Sequence, residues 1–497
     1  MSFEEQKSHL GTRRSFLRQA SCAAVGTWAL SSTIRDLRLI NAAMAQQLPP
    51  TDYKALVCLF LSGGNDSNNW IVPTDTTTYT QYSSIRGILT LPQSSLLTLR
   101  TGPSAADPAY VDAAGHTYGF HPTCPELQTL FGEGKLASVF NVGTLLRPIT
   151  RAEYLANATG TRPPQLFSHS DQVTQWQTSI PDQAPLTGWG GRVADILNSV
   201  ANPAGNISMS ISLNGLNTFE VGNIVSQYQV STTGAITLSG NLMSSTAGNS
   251  ARQRTFKELV GLTHTNLQRV AYADVVDRAI ATGDLLNASI TATATATDTP
   301  PGTWVWNTPF PNTALGNQLK MIARIIAARG PTAFNMNRQI FFCSVGGYDT
   351  HTAQITLTPA VNATTGTHTN LLNEVSEALY AFQRAMEQLG TSNAVTTFTA
   401  SDFSRTFPTN SQGSDHGWGS HHIVMGGAVN GTHTYGKLPE FTINGPDDTG
   451  TGRWIPTLAV DQYSATLAKW FGVDSSSMGA VFPNLSRFST ADLGFML

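Results

Sequence analysis

Six short, uninterrupted apolar runs constrain this chain more than anything else in it: 55–61 (ALVCLFL), 136–143 (LASVFNVG), 207–213 (ISMSISL), 339–345 (QIFFCSV), 394–400 (AVTTFTA) and 422–429 (HIVMGGAV). A strand with one wet face alternates apolar and polar residues, whereas a strand covered on both faces reads as a continuous run. Helical patterns lie between the runs. In "NLLNEVSEALYAFQRAMEQLG", Leu372, Val375, Leu379, Phe382, Met386 and Leu389 fall three or four apart, and Gly390 supplies a stop. "GNQLKMIARIIAARG" and "HPTCPELQTLFGEGK" repeat the helical pattern. Strands alternating with helices predict an α/β fold with a mostly parallel central sheet.

In such a sheet ligands sit beyond the carboxyl ends of the strands, so the residues after each run carry the functional information. After 55–61 comes "SGGNDSNN" with Asp66 and Ser67. After 339–345 comes "GGYDTHTAQ" with Asp349 and His351, and after 394–400 comes "SDFSRT" with Asp402 and Arg405. "GSDHGWGSHH", with Asp415, His416, His421 and His422, stands just ahead of the last run. Asp and His together suit zinc, manganese, magnesium or calcium, depending on their ratio. Each piece also has a structural reading: Asp66 as a helix cap or Asx turn, and Asp402 with Arg405 as an ion pair. "LFSHSDQ" places Ser168, His169, Ser170 and Asp171 together ahead of a helix, where a serine serves as N-cap or as an anion-binding nucleophile.

Charged residues make up 12% of the 497 and net charge is −3, which suggests neither nucleic acid nor an anionic membrane surface as partner. The N-terminus accounts for an uncharged, exported character. Arg13 and Arg14 precede a short apolar stretch, and "AAMAQQ" offers a small-x-small cleavage site, which predicts a twin-arginine signal over 1–45. The expectation is a folded passage through the twin-arginine translocase to the periplasm or beyond, with no transmembrane anchor. Residues 46–497 read as one domain with Ser/Thr/Gly-rich surface excursions near 223–253 and 285–312. Cys58, Cys124 and Cys343 have no metal-ligand spacing, and a single disulfide stays open.

"LFLSGGNDSNNWIVP", "LFSHSDQ", "GGYDTHTAQ" and "DFSRTFPTNSQGSDHGWGSHHIVMGGAVNG" together resemble the exported proteins of domain-of-unknown-function family 1501. The resemblance implies membership of the alkaline phosphatase and sulfatase superfamily, hence a three-layer α/β/α sandwich and metal-dependent hydrolysis of phosphate or sulfate esters. Under it Asp66, Asp349, His351, Asp402, His416 and His421 match metal positions. Phe403 stands where relatives carry a histidine, and Asp349 and His351 are closer in sequence than the usual pair. Ser168 is the nearest match to the nucleophile, with Ser67 the alternative. Arg405 would brace an anionic oxygen, and His416 or His421 would complete the metal shell or protonate the leaving group. The substrate implied is a small anionic ester or a glycan. The competing expectation is a non-catalytic exported binding protein on the same fold with a degenerate site. A cofactor-dependent oxidoreductase lacks any cofactor motif.

Overall fold

The computed structural model describes residues 50–236, 254–256, 258–262, 267–292 and 306–497. The expected signal at 1–45, and parts of both Ser/Thr/Gly-rich stretches, lie outside them.

All six apolar runs overlap a strand of one sheet. Its strands are β1 (Lys54–Leu61), β5 (Leu136–Gly143), β6 (Ser210–Ser212), β7 (Tyr228–Ser231), β8 (Gly234–Ala235), β9 (Arg338–Val345), β10 (Val395–Ser401), β11 (Ser420–Gly426), β12 (Thr434–Tyr435) and β13 (Leu458–Ala459). Three short strands, β2 (Ile71–Pro73), β3 (Leu97–Thr98) and β4 (Tyr118–Phe120), make a separate antiparallel sheet. The main sheet runs in the order β12-β5-β11-β10-β1-β9-β6-β7-β8, with β13 also on β5. In the centre β1 pairs in parallel with both β9 and β10, Cys58 standing level with Phe342 on one side and Phe398 on the other.

Seven of eight β1 residues and all of β10 are buried. Successive side chains on a strand face opposite ways, so burial of every position means that both faces are covered. One cover is α3 (His169–Thr178), α4 (Trp189–Ala201) and α7 (Val460–Phe471), whose Trp176, Trp189 and Tyr463 pack among Phe398 and its neighbours. A second group comprises α2 (Pro125–Gly132), α5 (Ala314–Ala327) and α6 (Thr367–Gln388), with α6 packing on both of the others. An earlier helix, α1 (Thr76–Arg86), starts where the Asp75 carboxylate accepts from Thr78 N at 2.9 Å. Among the described residues no helix is long and apolar enough to cross a membrane. Cys58, Cys124 and Cys343 are free and buried, so no disulfide joins them.

The sheet departs from pure parallel order at β11, which is antiparallel to both β10 and β5. This departure positions the site. Because β11 runs backwards, the chain that enters it lies at the rim where β1, β9 and β10 end. The His-rich loop therefore reaches the same edge as the aspartates.

Candidate metal centre

The rim is drawn together by two glycines at the end of β1. Gly63 has φ +114° and its N–H donates to Asp402 Oδ1 at 3.0 Å, while its carbonyl accepts from Arg405 Nη1 at 3.1 Å. A Cβ at Gly63 would sit 2.5 Å from the Asp349 nitrogen, so a side chain would push the β1 and β9 ends apart. Gly64 lies against Phe403, whose ring a Cβ would meet at 2.4 Å. That ring in turn packs on the imidazoles of His169 and His416, with centroids 4.8 and 4.7 Å away.

Three histidines meet here, and each has one ring nitrogen engaged by an oxygen. His169 Nδ1 is 2.7 Å from Asp402 Oδ2, His351 Nδ1 is 3.0 Å from Asp415 Oδ1, and His416 Nδ1 is 2.7 Å from the Phe167 carbonyl. Carboxylates and carbonyls only accept, so every Nδ1 is the donor and every neutral ring carries its lone pair on Nε2. The three Nε2 atoms then converge. His416 Nε2 lies 3.1 Å from His169 Nε2 and 2.9 Å from His351 Nε2. Asp349 Oδ1 stands 3.5, 3.0 and 3.3 Å from the Nε2 atoms of His169, His351 and His416.

Lone pairs so close repel unless a proton or a cation lies between them. Ligands about 2.0–2.1 Å from a zinc ion stand roughly 3.3 Å apart at the corners of a tetrahedron, which is the scale of the separations within the trio His169, Asp349 and His416. His169, Asp349 and His416 each offer an atom within 4.8 Å of the others, and His351 adds a fourth donor beside two of them. Side chains at the cluster are one quarter to one half exposed, from 23% at His416 to 47% at Asp349, so the donors face accessible space.

Charge at the cluster follows from its partners. The Asp402 hydrogen bond is the main reason the His169 imidazole is held above its usual range, against opposition from burial. Burial first, then its cationic neighbours, pulls His416 below that range. Burial works to raise Asp349, but the hydrogen bond and charge of Arg405 outweigh it and hold the carboxyl low. The Phe167 carbonyl is aimed by a strained backbone, with φ +72° at Phe167 and +51° at Gln165. Such conformations cost bulky residues about 1–3 kcal/mol each and gather at functional sites.

The deciding comparison covers residues 53–449, which match the family described as "Protein of unknown function (DUF1501)". The chain belongs to this family. No curated protein matches it. The crystal structure of Ps i-CgsB in complex with k-i-k-neocarrahexaose shares 8% identity and a TM-score of 0.31, over 85% of this chain and 73% of that one. The crystal structure of Ps i-CgsB alone gives the same identity and TM-score, over 87% and 77%. Likeness at that level carries nothing across.

Of the residues singled out in the sequence, Asp349, His351, Asp402, His416 and Arg405 come together, but not in equal roles. Asp402 faces His169 rather than the converging lone pairs. Arg405 is buried and spends its donors on Asp349 Oδ1 (2.7 Å), the Gly63 carbonyl and the Ser414 carbonyl, leaving a positioning task in place of the expected brace for an anion. Asp66 stands apart, fully buried, accepting from Arg86, Gln354 (2.5 Å) and Asn68 (3.2 Å). His421 is also elsewhere. Its Nδ1 accepts from Asn141 N at 3.1 Å, and burial lowers its pKa to about 3, which keeps the ring neutral. Ser168 caps α3 directly before His169 and donates its hydroxyl to Asp171 Oδ2 at 2.5 Å. Ser67 is buried, 2.9 Å from Ser404 Oγ. The sequence motifs contain His169 and Asp415 but assign neither a role; the histidine inside "LFSHSDQ" is the available signal for the first.

Proposed function

We propose that this chain is an exported, metal-dependent hydrolase of phosphate or sulfate esters whose metal is held by His169, His416, Asp349 and His351. The convergence of three Nε2 lone pairs, with every Nδ1 already donating, supports the reading most directly. Imidazoles oriented from behind by carboxylates or carbonyls are the usual outer shell of a metal site. Three nitrogens and one oxygen suit zinc or another imidazole-preferring ion better than calcium or magnesium, which take oxygen-rich shells. A bound metal of this kind polarises an ester oxygen and makes water nucleophilic near neutral pH. Here Asp402, Asp415 and Phe167 would hold the imidazoles, Arg405 would hold Asp349, and Ser168 would offer its hydroxyl beside the cluster. The alkaline phosphatase-like arrangement and twin-arginine export belong to the same proposal.

Elemental analysis of the purified chain lacking 1–45 is the test, with His416→Ala and Asp349→Ala beside it. One transition metal per chain, lost in both variants, together with turnover of p-nitrophenyl phosphate or p-nitrophenyl sulfate, supports the reading. Equal metal content in all three proteins sinks it. The second reading, a metal-binding but non-catalytic protein, draws on Arg405: the buried guanidinium nearest the cluster is committed inward. Metal without turnover of either ester selects that reading.

A further inference from the structure

At the ends of β1 and β9 lies a cleft of about 460 Å³, a size within the range of small-molecule sites. Phe60 and Ser62 from the end of β1, Phe342, Ser344 and Gly346 around the end of β9, and Val173 and Gln177 from α3 form part of its wall. The remainder is the loop after β6, with Asn214, Leu216, Asn217 and Thr218. Two of these elements, α3 and β9, also lead to residues of the histidine cluster, His169 and Asp349 with His351. Ser62 precedes Gly63, whose N–H holds Asp402, and Gly346 stands shortly before Asp349. His169, Val173 and Gln177 recur every fourth residue and so share one face of α3. Both features therefore lie on the rim where β1 and β9 end.

The chemistry of this cleft differs from that of the cluster. Among the described residues no charged side chain lines it. An ionic group would find no counter-charge there, and burying one unpaired is costly. The free hydrogen-bonding atoms are neutral. Gln177 is 7% exposed and its Oε1 accepts from Thr218 N (2.8 Å) and Phe219 N (3.1 Å), which leaves its Nε2 without a partner among the described residues. Asn214 donates Nδ2 to the Ser344 carbonyl at 3.1 Å and keeps Oδ1 as an acceptor. Beside these stand the apolar Leu216, 78% exposed, and the edges of Phe60 and Phe342. A hydroxyl both donates and accepts, so a ring bearing several hydroxyls satisfies such amides while its C–H face covers the apolar wall.

We propose that this cleft is the subsite for the alcohol half of the substrate, and that this half is an uncharged, polyhydroxylated group of the sugar class. The proposal deepens the hydrolase reading, on which its catalytic meaning rests, but its binding test does not need the metal. Saturation-transfer NMR with galactose, glucose, lactose and maltose as separate probes should show contact for at least one sugar with the wild-type protein. The signal should fall at least fivefold in Gln177→Leu and in Leu216→Glu. The second change is on an exposed side chain, so it tests the cleft even where the first disturbs the fold. Asp349→Ala should still bind the sugar. Silence for all four sugars, or undiminished signal in Leu216→Glu, overturns the proposal. Sugar binding in a protein that carries no metal would instead leave the subsite standing and remove the hydrolase reading.

Discussion

Asp66→Asn separates a structural carboxylate from a metal ligand, two roles that the sequence left open for this residue. The wild-type carboxylate is fully buried and receives three donors, one of them the equally buried Arg86 guanidinium. Breaking a buried ion pair by removing one partner costs about 3–5 kcal/mol, because the other charge is left uncompensated. Here Arg86 keeps the Phe407 carbonyl at 2.7 Å, the Thr406 carbonyl at 3.2 Å and Asn69 Oδ1 at 3.2 Å, which offsets part of that loss. The new amide, however, presents N–H₂ where an acceptor stood, and the resulting unsatisfied contact costs roughly 1–3 kcal/mol. The expected destabilisation is therefore about 3 kcal/mol or more, nearer the lower end of the range for broken pairs. At roughly 2 °C per kcal/mol for larger domains, apparent Tm should fall by about 6 °C. Thermal unfolding followed by circular dichroism at one scan rate measures this, and elemental analysis of the folded fraction measures metal. Reduced Tm with wild-type metal content fits the structure. Unchanged Tm with lost metal would refute the reasoning and return Asp66 to the metal.

Other changes probe the shell around the cluster and the buried charges. Asp402→Asn should weaken metal affinity about 10- to 100-fold, measured by chelator competition, since the amide has one acceptor oxygen for the two donors, Gly63 N–H and His169 Nδ1, that the carboxylate serves. Gly63→Ala should destabilise the rim and lower metal occupancy together, because its Cβ meets the backbone nitrogen of Asp349 and its φ is +114°; an unchanged Tm argues against the close approach. Burial pushes the Glu220 carboxyl up from 4.5 to about 8, opposed only in part by a 2.8 Å hydrogen bond from Asn217. Its folded form holds a proton that the unfolded form releases, so its contribution to stability is full at low pH and is lost as pH rises from about 4.5 towards 8. Glu220→Gln should flatten that decline, by at most roughly 1.4 kcal/mol per pH unit, in urea unfolding at a series of pH values.

The continuous apolar runs determined by themselves that a covered, mostly parallel sheet would form, because only a strand buried on both faces can dispense with polar positions. The four motifs that carry the family resemblance also contain every residue of the histidine–aspartate cluster. Local sequence could not decide which members of those motifs would meet. Asp66 and Asp349 both follow a buried strand and a glycine pair, yet the first turns inward to Arg86 and the second outward to the histidines. That difference depends on α1, whose last residue, Arg86, folds back onto Asp66 across 20 residues of chain. His416 and His421 lie five residues apart, but the reversed direction of β11 leaves one at the rim and carries the other into the sheet. Residue type set the chemistry available, whereas strand direction and long-range packing chose which atoms share a pocket.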